Sequence, residues 1–362
     1  MKFRHCVAFI SFLLISFCSC AQKKTFTNPL LPSGADPWSI YKDGYYYYTH
    51  TFGDRLVIWK AKSIADLKSA PYKTVFLPPS GKAYSKQLWA PELHFINKKW
   101  YIYFAADSGK NEGHRLWVLE NNSKDPLQGT WSLKGRIGDL TNKWAIDASV
   151  FKHNGALYMI WSGWEGDING EQDIYISKMK NPWTLEGKRV RLSSPTLQWE
   201  QYGDLHDANN PPHVNVNEGP EFLQHGNRVF LIYSASGCWT EYYALGMLST
   251  NANNNLLDSS SWVKNPVPVF KASVTNGVYA PGHNSFFKSP DGTEDWILYH
   301  ANSQPGQGCG RKRSPRAQKF MWDKNGNPYF GEPVKTAVAI SIPSDKKIKS
   351  AKNKFYKRSA SQ

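Results

Sequence analysis

Cysteine is scarce in this chain of 362 residues: there are five, and Cys6, Cys18 and Cys20 all fall within the first twenty positions. Only Cys238 and Cys309 remain for the body, and no spacing along the chain suggests a zinc site. Long stretches of helical periodicity are missing too, and between residues 30 and 340 no linker-like change of composition divides the chain. Acidic residues are the minority charge, 29 against 44 Lys and Arg, for a formal net charge of +15. Part of that excess comes from residues 346–358, which carry seven basic side chains and no acid. Such a run reads as a solvated end rather than a binding arm, and no nucleic-acid-binding motif accompanies it, so no nucleic-acid partner is expected. Attraction to an acidic polysaccharide or envelope surface is the functional form of the same charge.

What is present in quantity is aromatic side chain, 14% of residues, with 22 Pro and 27 Gly, a composition that suits many short strands joined by tight turns. The economical reading is one all-β domain over residues 28–340, preceded by a leader and followed by a basic, flexible tail over 341–362. The leader, residues 1–20, has a basic start at Lys2 and Arg4 and an apolar stretch from Val7 to Phe17 too short for a stable bilayer anchor, as in a secretory signal. It resembles a loose bacterial lipoprotein signal with Cys20 as the lipidated residue, although Phe17 and Cys18 replace the small residues usual there. The expected location is therefore exported: secreted, periplasmic, or attached to a membrane surface through Cys20. Export makes a Cys238–Cys309 disulfide chemically available, with two free thiols as the alternative.

A module recurs five times. Its openings are Gly34-Ala35-Asp36-Pro37, Ala90-Pro91-Glu92-Leu93, Ala145-Ile146-Asp147-Ala148, Asn217-Glu218-Gly219-Pro220 and Pro281-Gly282-His283-Asn284. Each leads into two aromatic or β-branched runs around a polar turn, the pattern of a β-hairpin. The ionisable residues are 56, 55, 71 and 65 positions apart, the length of one four-stranded blade with its loops. The expected fold is an all-β, five-bladed β-propeller in which Asp36, Glu92, Asp147, Glu218 and His283 open the five inner strands and meet at one axis. Strict alternation along a strand would turn Glu221 to the side opposite Glu218.

A carboxylate near such an axis loses water and must gain partners. Backbone amides can satisfy one, but three carboxylates with a Glu and a His in equivalent places favour a polar pocket. Two carboxyls on opposite sides of a glycosidic bond suffice to hydrolyse it: one protonates the leaving oxygen and the other deprotonates water. A separation of about 6.5–9.5 Å leaves room for that water and inverts the anomeric centre. A third carboxylate would raise the pKa of the acid by like-charge repulsion.

The phrases Ala35-Asp36-Pro37, Trp89-Ala90-Pro91-Glu92, Ile146-Asp147-Ala148-Ser149-Val150-Phe151, Asn217-Glu218-Gly219-Pro220 and Gly282-His283-Asn284-Ser285-Phe286 resemble those of glycoside hydrolase family 43, over about residues 28–335. The resemblance implies a five-bladed propeller that hydrolyses arabinofuranosides and xylosides with inversion. It implies Asp36 as general base, Glu218 as general acid, and Asp147 as the residue that tunes and orients the acid. It further implies a pocket arginine at Arg316 that binds the sugar near the base, and His283 as an axial histidine under the pocket, ligating a calcium ion or an ordered water. No cofactor is required, and a structural calcium ion remains a weak expectation because calcium prefers oxygen ligands. Arg311, Lys312 and Arg313 read as a solvated loop. Trp89 is the leading candidate to stack on a sugar face, with Trp164 and Trp239 in loops where a pocket wall would be; Glu92 reads as structural.

Further segments, among them Asn181-Pro182-Trp183-Thr184-Leu185 and Arg316-Ala317-Gln318-Lys319-Phe320, look most like the exo-acting α-L-arabinofuranosidase branch, which removes terminal arabinose from arabinan, arabinoxylan or their oligosaccharides. The polar stretch Tyr202 to Val216, with Asp204, His206, Asp207 and His213, departs from the pattern just before the acid. A β-xylosidase of the same chemistry and a sugar-binding propeller without catalysis are the alternatives.

Overall fold

The computed structural model describes residues 24–203 and 214–345. The leader with Cys20, the residues Asp204, His206, Asp207 and His213, and the tail from residue 346 lie outside the described residues.

Strands dominate the regular structure of the described residues, with only short 3-10 turns beside them. After β1 (Thr25–Thr27) come five meanders in which sequence neighbours pair antiparallel. The first is β2 (Ala35–Lys42), β3 (Tyr45–Thr51), β4 (Leu56–Ala61) and β5 (Tyr72–Phe76), and the second is β6 (Lys86–Ile96), β7 (Lys99–Asp107), β8 (Arg115–Asn121) and β9 (Ser132–Ile137). The third is β10 (Ala145–His153), β11 (Ala156–Gly163), β12 (Glu171–Asn181) and β13 (Thr184–Ser193), and the fourth is β14 (Asn215–His225), β15 (Arg228–Ala235), β16 (Ala244–Asn251) and β17 (Val263–Lys264). The fifth is β18 (Tyr279–Lys288), β19 (Asp295–Asn302), β20 (Ser314–Trp322) and β21 (Pro328–Tyr329), and β22 (Ala339–Ser341) closes by pairing with β1. A short parallel pairing of β12 with β14 joins the third and fourth units into one sheet.

The first strands of the units, β2, β6, β10, β14 and β18, touch in sequence, and β18 touches β2. The apolar core follows the same order. One cluster lies between units one and two around Tyr47, Trp100 and Phe104, and the next joins Tyr103 to Trp161. Others join Ile160 to Leu231 and Phe230 to Tyr299, and the last returns Trp296 of unit five to Tyr46 and Trp59 of unit one. Large flat side chains suit this interface, since each buries about 150–250 Å² between two facing sheets. The last junction is sewn by backbone as well: Asn28 Nδ2 donates to Ala317 O at 3.0 Å, Ala317 N–H donates to Asn28 Oδ1 at 3.0 Å, and Leu30 N–H donates to Pro315 O at 2.8 Å. Bonding of the chain to the body continues past residue 340, with Ile342 N–H on Lys24 O and Ser344 N–H on Glu294.

Each first strand is broken by a register shift near its start. At that break sits a residue with positive φ: Asp36 (56°), Ala90 (43°), Asp147 (58°), Gly219 (55°) and His283 (44°), and units two and five carry a second one at an earlier shift, Gln87 (49°) and Ala280 (46°). The left-handed residue common to all five, and not the ionisable residue, is the repeating position. Relative to it, Glu218 stands one place before and Glu92 two places after. In units one, two and five the bulge takes the left-handed residue's N–H out of the ladder, and a side chain on the second strand of the preceding unit receives it. Asp36 N–H donates to His300 Nδ1 (3.0 Å), Ala90 N–H to Thr51 Oγ1 (2.7 Å) and His283 N–H to Ser234 Oγ (2.7 Å). Gly219 is the variation, since its N–H goes to the carboxylate of Asp147 at 3.0 Å. Only glycine fits there without strain, because a Cβ would stand 3.1 Å from the His283 ring as well as at positive φ.

Candidate active site

Asp36, Asp147 and Glu218 line one cavity of about 410 Å³, together with Trp89, His283 and Arg313. All three carboxyls are nearly buried, at 8%, 4% and 8% exposure. They come from units one, three and four, more than one hundred residues apart along the chain for the first pair. Their surroundings differ, and that difference sets their protonation.

Asp36 Oδ2 accepts the Thr51 hydroxyl at 2.6 Å, and Oδ1 lies 3.3 Å from Arg313 NH1, 3.3 Å from His283 Nδ1 and 3.5 Å from His300 Nδ1. Burial alone would raise its pKa, but these partners outweigh it and hold the carboxyl well below the usual range. Burial drives both histidines toward the neutral form. At neutral pH the constant positive charge opposite Asp36 is therefore Arg313. Because His300 Nδ1 accepts from the backbone of Asp36, its ring proton is on Nε2.

Glu218 is pushed the other way. Burial raises its pKa to about 7, Asp36 adds to the rise, and the Tyr243 hydroxyl, donating to Oε1 at 2.7 Å, partly offsets it. Asp147 is raised well above its ordinary value by burial and then by Glu218, with the Gly219 N–H acting against it. Two neighbouring buried carboxyls of like charge do not ionise together, so Asp147 and Glu218 hold a proton between them into the neutral range. The site thus sets the ionised Asp36 against a pair of carboxyls, Asp147 and Glu218, that hold a proton between them.

Glu221 departs from the expected alternation. The bulge at Gly219 and Pro220 resets the strand. Glu221 accepts from Ser149 Oγ of unit three at 3.2 Å and is hydrogen-bonded to Glu92 of unit two, so it turns toward the first strands of the other units. It lies outside the cavity lining. Glu92 also meets His94 Nε2 at 2.7 Å, and burial raises both carboxyls, Glu221 to about 8. The two form a proton-sharing pair away from the cavity, consistent with a structural Glu92.

Arg316 is not in the cavity. It sits on β20, the third strand of its unit, fully buried, and its guanidinium donates to Thr336 Oγ1 (2.8 Å) and Ser303 Oγ (2.7 Å). Arg313 stands just before β20, where the strand begins beside the cavity. Arg313, read from sequence as part of a solvated loop, is the arginine on Asp36.

Trp89 lines the cavity with its ring stacked on His114 at 3.9 Å, and Trp239 lines it as well. Trp164 does not reach it. It is buried behind Trp144, the cavity-lining ring on which it stacks at 4.6 Å. Sequence reading passed over Trp144, although the Trp-Ala pair of Trp89-Ala90 recurs at Trp144-Ala145 at the start of the next unit. Cys238 and Cys309 are joined as a disulfide that forms part of the same wall.

His283 lines the cavity with Nδ1 3.3 Å from Asp36 Oδ1 and its ring beside Gly219. Among the described residues no group of three His, Cys, Asp or Glu side chains could hold a metal ion. A calcium ion needs six to eight oxygens, so the residues present do not supply its shell, and no step below is routed through a metal.

Known proteins agree with this architecture. The chain is 41% identical over 323 residues to an extracellular exo-α-(1→5)-L-arabinofuranosidase of Streptomyces avermitilis, covering 87% of this chain but 65% of that protein. It is 38% identical to an enzyme of the same name from Streptomyces chartreusis, covering 76% of this chain and 82% of that one. The crystal structure of an α-L-arabinofuranosidase from Lactobacillus brevis superimposes with a TM-score of 0.79 at 36% identity, covering 86% of this chain and 98% of that one. The model of glycosyl hydrolases family 43 matches residues 26–328, and the chain belongs to that family.

Proposed function

We propose that this chain is an inverting, exo-acting α-L-arabinofuranosidase built as a five-bladed β-propeller, with the cavity of Asp36, Asp147 and Glu218 at the axis. The observation that carries the reading is the opposite protonation of two carboxyls in one hollow: Asp36 held as the anion, Glu218 raised to about 7. Water positioned by Asp36 attacks the anomeric carbon and gives its proton to that carboxylate. The bond from the anomeric carbon to the leaving oxygen breaks, and its electron pair takes the proton of Glu218. Asp147 serves twice, sharing a proton with Glu218 and gripping the peptide N–H that follows it, which fixes the acid's direction. Both reacting groups are carboxyls of the chain, so no cofactor is required.

Terminal arabinofuranose from arabinan, arabinoxylan or derived oligosaccharides is the proposed substrate, supported by the names of the relatives above 35% identity. The secretory leader and the word extracellular in two of those names support export, with surface attachment through Cys20 as its lipoprotein form.

The test uses 4-nitrophenyl α-L-arabinofuranoside and 4-nitrophenyl β-D-xylopyranoside side by side, with proton NMR of the first sugar formed. Release from the arabinoside, appearing first as the β anomer, is expected. Preference for the xyloside would move the substrate, and release from neither would leave a sugar-binding propeller. Asp36→Asn should lower kcat by about a hundredfold to ten-thousandfold, the usual contribution of a general base, with the melting temperature kept. Retained turnover in that variant would remove the base assignment.

A further inference from the structure

The two loops that carry the partners of the reacting carboxyls are tied to each other. Residues 236–243 run from β15 to β16 and end at Tyr243, whose hydroxyl is on Glu218. Residues 303–313 run from β19 to β20 and end at Arg313, whose guanidinium is on Asp36. Cys238 lies in the first and Cys309 in the second, with Cα atoms 5.2 Å apart. We propose that the Cys238–Cys309 disulfide is a positioning device for the reaction, holding Arg313 on the base and Tyr243 on the acid at once, so that full turnover requires the bridge. This rests on the assignment of Asp36 and Glu218 given above.

Within the second loop, Asn302 Nδ2 donates to Gly308 O at 3.0 Å and Arg313 N–H to Gly310 O at 3.3 Å, and the Gly34 N–H donates to Arg313 O at 3.0 Å, which fixes the backbone at the loop's end but not the Arg313 side chain. The loop contains Gly306, Gly308 and Gly310, the first two at positive φ, and it closes on three consecutive cations, Arg311, Lys312 and Arg313, which repel one another. Arg316 fixes the start of the loop by donating to Ser303, and Gly306 N–H donates to Glu241 Oε1 of the partner loop at 2.6 Å. Past that point only the disulfide crosses between the loops before Arg313. Arg313 itself has a buried Nε without a partner and an NH1 on Asp36, so the side chain is held by the site rather than by its own loop. The first loop gains rigidity locally, with Trp239 laid flat against Gly237, where a Cβ would meet its ring at 2.4 Å. The bridge joins a stiff loop to a soft one beside the substrate. It crosses 71 residues of chain, so it also removes freedom from the unfolded state, which a melting curve would register separately.

Oxidised full-length protein is compared with Cys238→Ser/Cys309→Ser, each with and without Arg313→Ala. Near-UV dichroism reports the fold and the aryl arabinoside reports rate. The unbridged variant should keep its fold and lose about tenfold to a hundredfold in kcat, the scale of a misplacement near 1 Å, with KM changed far less. Arg313→Ala should then cost little more in the unbridged protein than the missing bridge already costs. A kcat within twofold of the parent, or a full additional loss from Arg313→Ala, overturns the proposal. If the variant does not fold, the parent is treated with a dithiol reagent. The reagent passes two electrons and two protons to the bridge, leaving two thiols and its own cyclic disulfide. Turnover should fall while tryptophan fluorescence stays native, and return on reoxidation; unchanged turnover in the reduced protein is again the overturning result. Asp36→Asn assayed in the bridged protein keeps the two ideas apart, since its full activity would sink the base assignment whatever the bridge does.

Discussion

Tyr243→Phe isolates what sets the acid. The substitution removes one oxygen and keeps the ring, which packs flat on Gly282 and lies parallel to His300 with ring centroids 5.8 Å apart. The lost contact is the 2.7 Å hydrogen bond to Glu218 Oε1, which favours the ionised carboxylate. A hydrogen bond to a charged group contributes about 1.5–3 kcal/mol, and one pKa unit corresponds to about 1.36 kcal/mol. Discounting for water that enters the vacated space, the acid should rise by about one unit from its value near 7. Glu218 must be protonated to act, so activity is lost as pH rises through its pKa, and a higher pKa moves the alkaline limb of kcat/KM upward. The acid limb, which the proposed base Asp36 sets well below the usual carboxylate range, should stay below the assayed window. The phenol of Tyr243 is itself pushed well above its ordinary value by burial and does not titrate in this window. Rates on an aryl arabinoside between pH 4 and 10 (about six units, one pKa unit resolved) make the comparison. An alkaline limb that stays in place or moves down would refute the assignment of that limb to Glu218 or the role of the hydroxyl.

Arg313→Ala removes the constant charge beside Asp36, so the base's pKa rises and the acid limb moves to higher pH with a loss of turnover; Arg316→Lys should instead lower the melting temperature by a few degrees, from two lost hydrogen bonds of about 1 kcal/mol each, with both limbs in place. Exchange of those two outcomes would return the pocket role to Arg316. Gly282→Ala would set a Cβ 2.0 Å from the Tyr243 ring, costing about 1–3 kcal/mol of stability and displacing the phenol, so its alkaline limb should move in the same direction as that of Tyr243→Phe; a parental pH profile would separate ring position from hydroxyl. Glu221 is raised from 4.5 to about 8, so the folded state binds more protons than the unfolded one between those values, and stability should fall as pH rises through that window. Glu221→Gln should flatten that decline in melting temperature, and an unaltered slope would remove Glu221 as its cause.

Much of this was legible in the chain. The five openings, each followed by a hairpin of aromatic and branched residues, mark the five units, because a strand pair needs a turn and each sheet face needs a flat neighbour. That Asp36, Asp147 and Glu218 share one cavity was legible because their phrases are chemical as well as structural. Arg313 and Trp144 were not. Arg313 belongs to a run of cations that reads as a solvated loop, and its place beside Asp36 comes from contacts distant in sequence, the Gly34 N–H on its carbonyl and the Asp36 carboxylate on its guanidinium. Trp144 repeats the Trp-Ala of Trp89, but with fifteen tryptophans in the chain one more aromatic beside a strand carries little weight until the fold separates it from Trp164.

The deeper reason for the misread register lies in the bulge. Counting from one ionisable residue to the next assumes that charge marks the same backbone position in every unit, whereas the backbone repeats its left-handed residue: Asp36, Ala90, Asp147, Gly219, His283. A non-glycine residue held there costs of order 1 kcal/mol, and four of the five units accept that cost, with a neighbour receiving the freed N–H in three contacts of 2.7–3.0 Å. Where the left-handed residue is itself an aspartate, its carboxyl enters the cavity from the bulge. In unit four the left-handed residue is glycine, the acid moves one place earlier, and the N–H that a hydroxyl or imidazole receives elsewhere goes to Asp147. That single change of register brings the peptide N–H after Glu218, the proposed acid, onto the Asp147 carboxylate. A glutamate at position 219 would set a Cβ 3.1 Å from the His283 ring and give up the left-handed glycine, so both the crowding and the backbone favour the place one residue earlier.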